Sequence, residues 1–144
     1  MPDQNYANHR RFVPLFHFVL FSLIVLTLIG SCVNLIKTIG THSGLYSAAL
    51  LVIVNLSLFL MFVYSRVFPL KAQDRAIRAE ENLRHFVLTG KLMDSRLTTR
   101  QIIALRFAPD DEFLMLAAKA IEDNLTEDQI KKAIKNWRGD YYRV

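Results

Sequence analysis

The sequence is poor in cysteine and in catalytic signatures. Its single cysteine, Cys32, excludes an intrachain disulfide and a zinc cluster built from cysteines. The serines, the aspartates and the four histidines are scattered. They form no nucleophile elbow and no paired-histidine motif, and there is no glycine-rich phosphate loop. The sequence therefore predicts a protein that is not an enzyme and has no cofactor or metal site.

Charge is absent from two long stretches in the first half of the chain. Residues 12–36 and 45–63 contain no Asp, Glu, Lys or Arg. About 20 apolar residues in a helix cross the hydrocarbon core of a bilayer, so each stretch is long enough to do so. We expect an all-α membrane protein with spans at about 12–36 and 45–65, joined by a turn at Gly40 and Gly44.

The first apolar stretch is too long for a cleaved signal peptide, whose apolar region has about 7–15 residues. Residues 29–32, Ile-Gly-Ser-Cys, loosely resemble a lipoprotein box in which Cys32 would be lipidated. The stretch continues past Cys32 to Ile36, as a span does. This continuation favours an ordinary apolar role for the cysteine.

The flanks of the two stretches differ in charge. The outer flanks are basic, through Arg10, Arg11, Arg66, Lys71, Arg75 and Arg78. The connection between the stretches carries only Lys37 and the mostly neutral His42. Because basic flanks stay in the cytoplasm, we expect a multi-pass protein of the cytoplasmic membrane with both termini cytoplasmic.

Three segments follow from this division. Residues 1–11 form a cytoplasmic N-terminal segment and residues 12–68 a transmembrane hairpin. Residues 69–144 form a small cytoplasmic helical tail of about four helices. The tail holds 14 basic and 12 acidic residues, and so balanced a surface disfavours nucleic acid as a partner.

Three polar side chains, Thr27, Asn34 and Asn55, lie within the apolar stretches. Folding the chain about Thr41 brings Thr27 to the depth of Asn55, and such side chains hydrogen-bond between membrane helices. We predict an interhelical polar contact. As an alternative, the three residues line a path in an oligomeric small transporter or channel. That alternative needs many copies, because two helices supply little polar surface and no carboxylate.

The tail begins with a charged helix that has a narrow apolar seam and ends at Gly90. Its apolar residues recur at spacings of three and four, namely Ala72, Ala76, Ala79, Leu83 and Phe86. We expect this seam to pack on the rest of the tail. The same spacing would also let the helix pair with another helix, including its own copy.

Two later helix starts share the pattern Leu-Thr-x-x-Gln-Ile, at 97–102 and 125–130. Thr98 and Thr126 are predicted N-caps, and Gln101 and Gln129 reach back to complete two capping boxes. A third helix is expected between them, where Pro109 precedes three acidic residues at 110–112. Three short amphipathic helices can close a small core.

The final helix is predicted to carry an apolar stripe of Ile130, Ala133, Ile134, Trp137 and Tyr141. A basic face opposite it holds Lys131, Lys132, Lys135 and Arg138. We interpret this face as one that meets anionic lipid headgroups or a protein partner. In an alternative, the helix reads DNA and the protein is a membrane-tethered regulator.

Several segments together resemble a known family. They are Gln4-Asn5-Tyr6-x-Asn8-His9, Val13-Pro14-Leu15-x-His17-Phe18, the runs 70–78 and 97–108, and Ile130 to Tyr141. The family comprises small bacterial membrane proteins known only as a domain of unknown function, and the resemblance covers nearly the whole chain. It implies a two-span bacterial membrane protein with a helical cytoplasmic tail, and it brings no activity or substrate.

The sequence as a whole predicts a membrane-anchored interaction or scaffold module that acts through its helical tail. The expected contacts are membrane lipids and either a second copy of the chain or another protein bound by the tail.

Overall fold

The computed structural model describes residues 4–9, 11–41 and 43–141, and every regular element within these ranges is a helix. A π-helical turn, Leu15–Leu20, leads into the first helix. The helices are α1 (Phe21–Thr38), α2 (Leu45–Thr89), α3 (Thr99–Leu105), α4 (Asp110–Glu122) and α5 (Glu127–Ala133). The predicted all-α class is confirmed. Arg10 and His42, which enter the charge argument, lie outside the described residues.

The chain divides into two compact units, which we call the hairpin and the helical unit. The hairpin is residues 12–68. The helical unit combines residues 69–141 with the described residues of the N-terminal segment, 4–9 and 11. The described residues of the N-terminal segment fall within the helical unit.

The hairpin is built from α1 and the first half of α2. Residues 15–38 and α2 are both long and apolar enough, by length and composition, to cross a membrane. Covered positions on α2 recur every three or four residues, at Ala48, Val52, Asn55, Phe59 and Phe62, and those on α1 do so at Ile24, Leu28, Ser31 and Leu35. This is the spacing of helices packed side by side. The Phe62 ring stacks on that of Phe16, with centroids 4.5 Å apart.

Glycines mark the ends of the long helices. Gly40 and Gly44, in the connection from α1 to α2, have φ of +97° and +83°, so the predicted turn uses backbone angles that side chains disfavour. α2 continues through Pro69, where the missing N–H deprives the Ser65 carbonyl of its usual donor. The helix ends at Gly90, with φ of +73°, as a helix-terminating glycine does.

The core of the helical unit lies between α3, α4 and α5. Its largest fully buried side chains are Leu105, Phe107, Phe113 and Ile130. Burial of each such side chain contributes about 1.5–3 kcal/mol. The helix expected after Pro109 is present, and its apolar face buries Phe113, Leu116, Ala117 and Ala120. Pro109 is the N-cap of α4 and not its first helical residue, so α4 begins at Asp110.

The final helix is shorter than the sequence predicts. α5 ends at Ala133, and Ile134 has extended backbone angles. The N–H groups of Lys135 and Asn136 each donate to the Glu112 carboxylate at 2.9 Å. Because these groups are no longer available to carbonyls one turn back, the helix cannot continue. The predicted helical stripe through Trp137 and Tyr141 is therefore wrong.

Candidate interaction surfaces of the helical unit

The N-terminal segment is docked on the far end of the chain. The Tyr6 hydroxyl donates to the Asp128 carboxylate at 2.6 Å. The Gln4 side chain accepts from the Asp140 backbone N–H at 2.8 Å and donates to the Asp140 carbonyl at 3.5 Å. Arg11 donates to the Tyr141 carbonyl at 3.4 Å. We call these contacts the N-terminal clasp.

The clasp includes an ion pair between residues one turn apart on α5. Lys132 Nζ is 2.8 Å from Asp128 Oδ2 and 5.2 Å from the centre of the Tyr6 ring. The hydrogen bonds from Lys132 and from Tyr6 lower the pKa of the Asp128 carboxyl. The bond to Asp128 in turn raises the pKa of Lys132. Both shifts favour the charged forms of the two groups, and an ionised Asp128 carboxylate is the stronger acceptor for the Tyr6 hydroxyl.

An aromatic cluster joins the clasp to the core. The His9 ring lies 5.9 Å from that of buried Phe107 and 5.7 Å from that of Trp137. The Phe107 and Trp137 rings are 4.8 Å apart. Such ring distances are those of favourable edge or offset contacts. The clasp thus extends from the surface of α5 to the buried centre of the helical unit.

An open groove of about 920 Å³ lies beside the clasp. Its walls are the N-terminal segment and the starts of α3 and α5, and they include Tyr6, His9, Arg100, Gln101, Glu127 and Lys131. The groove presents charges of both signs together with hydrogen-bonding groups. These groups suit a polar chain segment as the occupant of the groove. Among the described residues, no group of three or more His, Cys, Asp or Glu could hold a metal ion.

The predicted basic face is not formed as one surface. Lys131 is only 8% exposed, is paired with Glu127 and lies 3.4 Å from His9 Nε2. Lys132 belongs to the clasp. Lys135 and Arg138 follow the end of α5 and so are not on that helix. The basic recognition helix that the DNA alternative required is therefore not formed.

The second half of α2 packs on the helical unit through a largely polar face. Ile77 and Glu81 are buried there. Arg84 donates to Glu81 at 3.0 Å, to Asp110 at 2.7 Å and to the Ala108 carbonyl at 2.8 Å. Its guanidinium also lies 4.3 Å from the centre of the Phe113 ring. Arg84 thus fixes α2 to the start of α4.

The apolar seam predicted on this half of α2 faces outward. We call it the α2 stripe. All its members are exposed, namely Ala72, Ala76, Ala79, Leu83 and Phe86. Leu83 is 63% and Phe86 49% exposed. The prediction that this seam packs on the rest of the tail is wrong, because the opposite face carries Ile77, Glu81 and Arg84.

A second, smaller cavity of about 390 Å³ lies between the second half of α2 and the C-terminal segment. Arg106 lies on its wall, is 9% exposed and has Nε 3.3 Å from Asp140 Oδ2. Burial lowers the pKa of Arg106, and the Asp140 charge opposes that effect. The Gln73 side-chain oxygen, on the same wall, is buried without a hydrogen-bond partner.

Both predicted capping boxes are present. Thr98 and Thr126 accept from the amides of Gln101 and Gln129, and each glutamine side chain accepts from its threonine backbone N–H. Gln101 does more, because its Nε2 donates to the carbonyls of Ala120 and Leu125 at 3.3 and 2.8 Å. It thereby ties α3 to the end of α4.

The polar residues of the hairpin bond within their own helices. Thr27 Oγ1 donates to the Leu23 carbonyl and Asn55 Nδ2 to the Leu51 carbonyl, both at 2.8 Å. Asn55 is at a covered position of α2, whereas Thr27 and Asn34 are on exposed sides of α1. The structure does not join Thr27 to Asn55. A role for the three residues between helices or in a channel stays a prediction.

One protein-family model matches the whole of this sequence. The model of a family of unknown function, DUF6526, matches residues 1–144. The chain belongs to this family. The predicted membership of a family known only as a domain of unknown function is thus confirmed, and the match carries no activity with it. No curated protein and no solved structure matches the chain.

Sequence reasoning missed two features of this DUF6526 chain. The first is the clasp, whose residues Tyr6 and Asp128 are 122 positions apart, so no local pattern connects them. The segment around Tyr6 did contribute to the family resemblance, and this was the available signal. The second is the role of Glu112. From its place in the first turn of α4, the sequence predicted only a favourable interaction with the helix dipole, whereas its carboxylate accepts hydrogen bonds from the backbone N–H groups of Lys135 and Asn136.

Proposed function

We propose that this chain is a two-span protein of the bacterial cytoplasmic membrane that holds a non-catalytic interaction module at the cytoplasmic face. The hairpin is the anchor and the helical unit is the module. The clasp carries this proposal. Gln4, Tyr6 and Arg11 contact residues between Asp128 and Tyr141, so these two segments lie on the same side of any membrane that the intervening chain crosses.

An even number of crossings follows from that contact, and the two candidate helices supply two. The charges give the orientation. Arg11, Arg66 and Lys71 flank the outer ends of the two apolar stretches in the sequence, whereas Lys37 is the only Lys or Arg in the connection between the stretches. Basic flanks stay in the cytoplasm, so the helical unit is cytoplasmic.

Binding rather than catalysis is favoured by the uses of the buried ionisable groups. Glu81 is bonded to Arg84, Lys131 to Glu127, and Glu112 to backbone amides. These groups hold elements of the fold together. The α2 stripe, in contrast, is an exposed apolar surface rimmed by charges, which is typical of a site for another macromolecule.

Topology is tested by cysteine labelling in intact cells, in a Cys32→Ala background. Thr41→Cys, in the connection, should react with an impermeant maleimide added outside. Lys91→Cys, on the helical unit, should react only after permeabilisation. Extraction at alkaline pH should leave the protein in the membrane. Release by alkali, or outside labelling of Lys91→Cys, would refute the anchor or its orientation.

A further inference from the structure

The α2 stripe has the spacing of one seam of a two-stranded coiled coil. Its residues follow one another at intervals of four, three, four and three, from Ala72 to Phe86. This repeat of 3.5 residues keeps a seam facing a partner helix. Alanine at three of the five positions allows a close approach of the two backbones.

The charges beside the stripe define the partner. Arg75 and Glu80 are exposed and flank the stripe on opposite sides, five residues apart. With Ala76 and Ala79 at core positions, Arg75 falls at position g and Glu80 at the following e. In a parallel pair of identical helices, these positions bring Arg75 of each copy to Glu80 of the other.

We propose that the α2 stripe is a dimerisation surface and that its partner is the same stripe of a second copy, packed in parallel. The parallel sense rests on the proposed function, because two copies anchored in one membrane with the same topology present this helix in the same direction. The stripe is short, so isolated units associate weakly. Confinement to one membrane raises their effective concentration and offsets this.

Disulfide crosslinking of the full chain in native membranes tests the pairing. In the Cys32→Ala background, Ala76→Cys and Ala79→Cys place cysteines on the stripe. Arg78→Cys is the matched control, because it is exposed on the same helix but lies off the stripe. Both stripe variants should form disulfide dimers roughly tenfold more readily than the control, since only facing positions meet disulfide geometry.

Charge reversal tests the register. Arg75→Glu in the Ala79→Cys chain should reduce crosslinking roughly tenfold, since two symmetric pairs change from attraction to repulsion. Adding Glu80→Arg to the same chain should restore it. Equal crosslinking of the stripe variants and the control would overturn the dimer. Crosslinking at only one of the two stripe positions would overturn the parallel arrangement, because antiparallel helices meet their own copy at one point.

The two proposals fail in different ways. A chain that is not in the membrane fraction contradicts the anchor, and preferential crosslinking of the stripe variants in that soluble chain would still support the dimer. A chain that is in the membrane but shows no preference for the stripe contradicts the dimer alone. Capture of a different protein at Ala79→Cys, with no homodimer, also contradicts it.

Discussion

Two glutamines at the same position of a repeated motif make different numbers of hydrogen bonds in this protein. Gln101 and Gln129 close the same capping box at the starts of two helices of equal length. Gln101 is buried and also binds two carbonyls at the end of α4. Gln129 is exposed. The chain therefore contains its own matched control for the value of these additional bonds.

We expect Gln101→Ala to lower the free energy of unfolding of the helical unit by about 2–3 kcal/mol, because it removes the cap and the side-chain donor to the Leu125 carbonyl. The Ala120 carbonyl also loses this donor but keeps the Leu125 backbone N–H at 3.1 Å. Gln129→Ala should lower it by about 0.5–1 kcal/mol, the value of a cap alone. Urea unfolding of both variants, followed by circular dichroism, measures the difference. Equal losses would show that the interhelix bonds of Gln101 add nothing.

The two glutamines also show what a sequence can predict at this scale. A capping box joins residues three positions apart, so the pattern was sufficient to predict both. The second role of Gln101 depends on where α4 ends in space. Nothing within a few residues of Gln101 encodes where α4 ends, and so a local sequence pattern could not predict the bonds from Gln101 to that region.

At the scale of elements, the end of α5 is decided by Glu112 of α4. Hydrogen bonds from the Lys135 and Asn136 amides lower the pKa of Glu112 below its ordinary value of 4.5. A carboxyl whose pKa is lower in the folded state stabilises that state at pH above the unfolded value. This stabilisation is lost as the pH falls through the folded value.

Glu112→Gln should therefore destabilise the helical unit at neutral pH by about 1–3 kcal/mol, because its amide nitrogen cannot accept from a backbone N–H. The difference from the unmodified chain should shrink as the pH falls from about 5 to about 3. Thermal unfolding across this range measures it. A difference that does not vary with pH would show that the Glu112 charge is not involved.

The two faces of α2 show the same limit of local patterns at the scale of helices. Periodicity correctly identified an apolar seam from Ala72 to Phe86 but assigned it to the interior of the tail. The interior face instead depends on Arg84, whose guanidinium reaches Glu81, Asp110 and the Ala108 carbonyl. Arg84 holds this face through hydrogen bonds and through the packing of its side chain on Phe113. Two of its partners, Ala108 and Asp110, are 24 and 26 positions away, too far for a local pattern to show them.

At the scale of the whole molecule, the N-terminal clasp connects the two ends of the chain. The only tryptophan, Trp137, lies next to His9 and so reports docking by its fluorescence. Gln4→Ala combined with Tyr6→Phe should shift this emission to longer wavelength, because undocking exposes the indole to water. It should also lower the unfolding midpoint of the helical unit by a few degrees.

Tyr46→Phe is the control, since Tyr46 is an exposed tyrosine of the hairpin and should change neither quantity. An unchanged spectrum in the double variant would show that the clasp does not hold the segment against Trp137.

The clasp also has a consequence for how the protein is made. Tyr6 is synthesised before both apolar stretches and Asp128 after them. Under the proposed two-span topology, a chain that inserted only one stretch would leave Tyr6 and Asp128 on opposite sides of the bilayer, where they could not meet. Completion of the helical unit would then act as a check on insertion, because only a chain with an even number of crossings could pack His9 against Phe107.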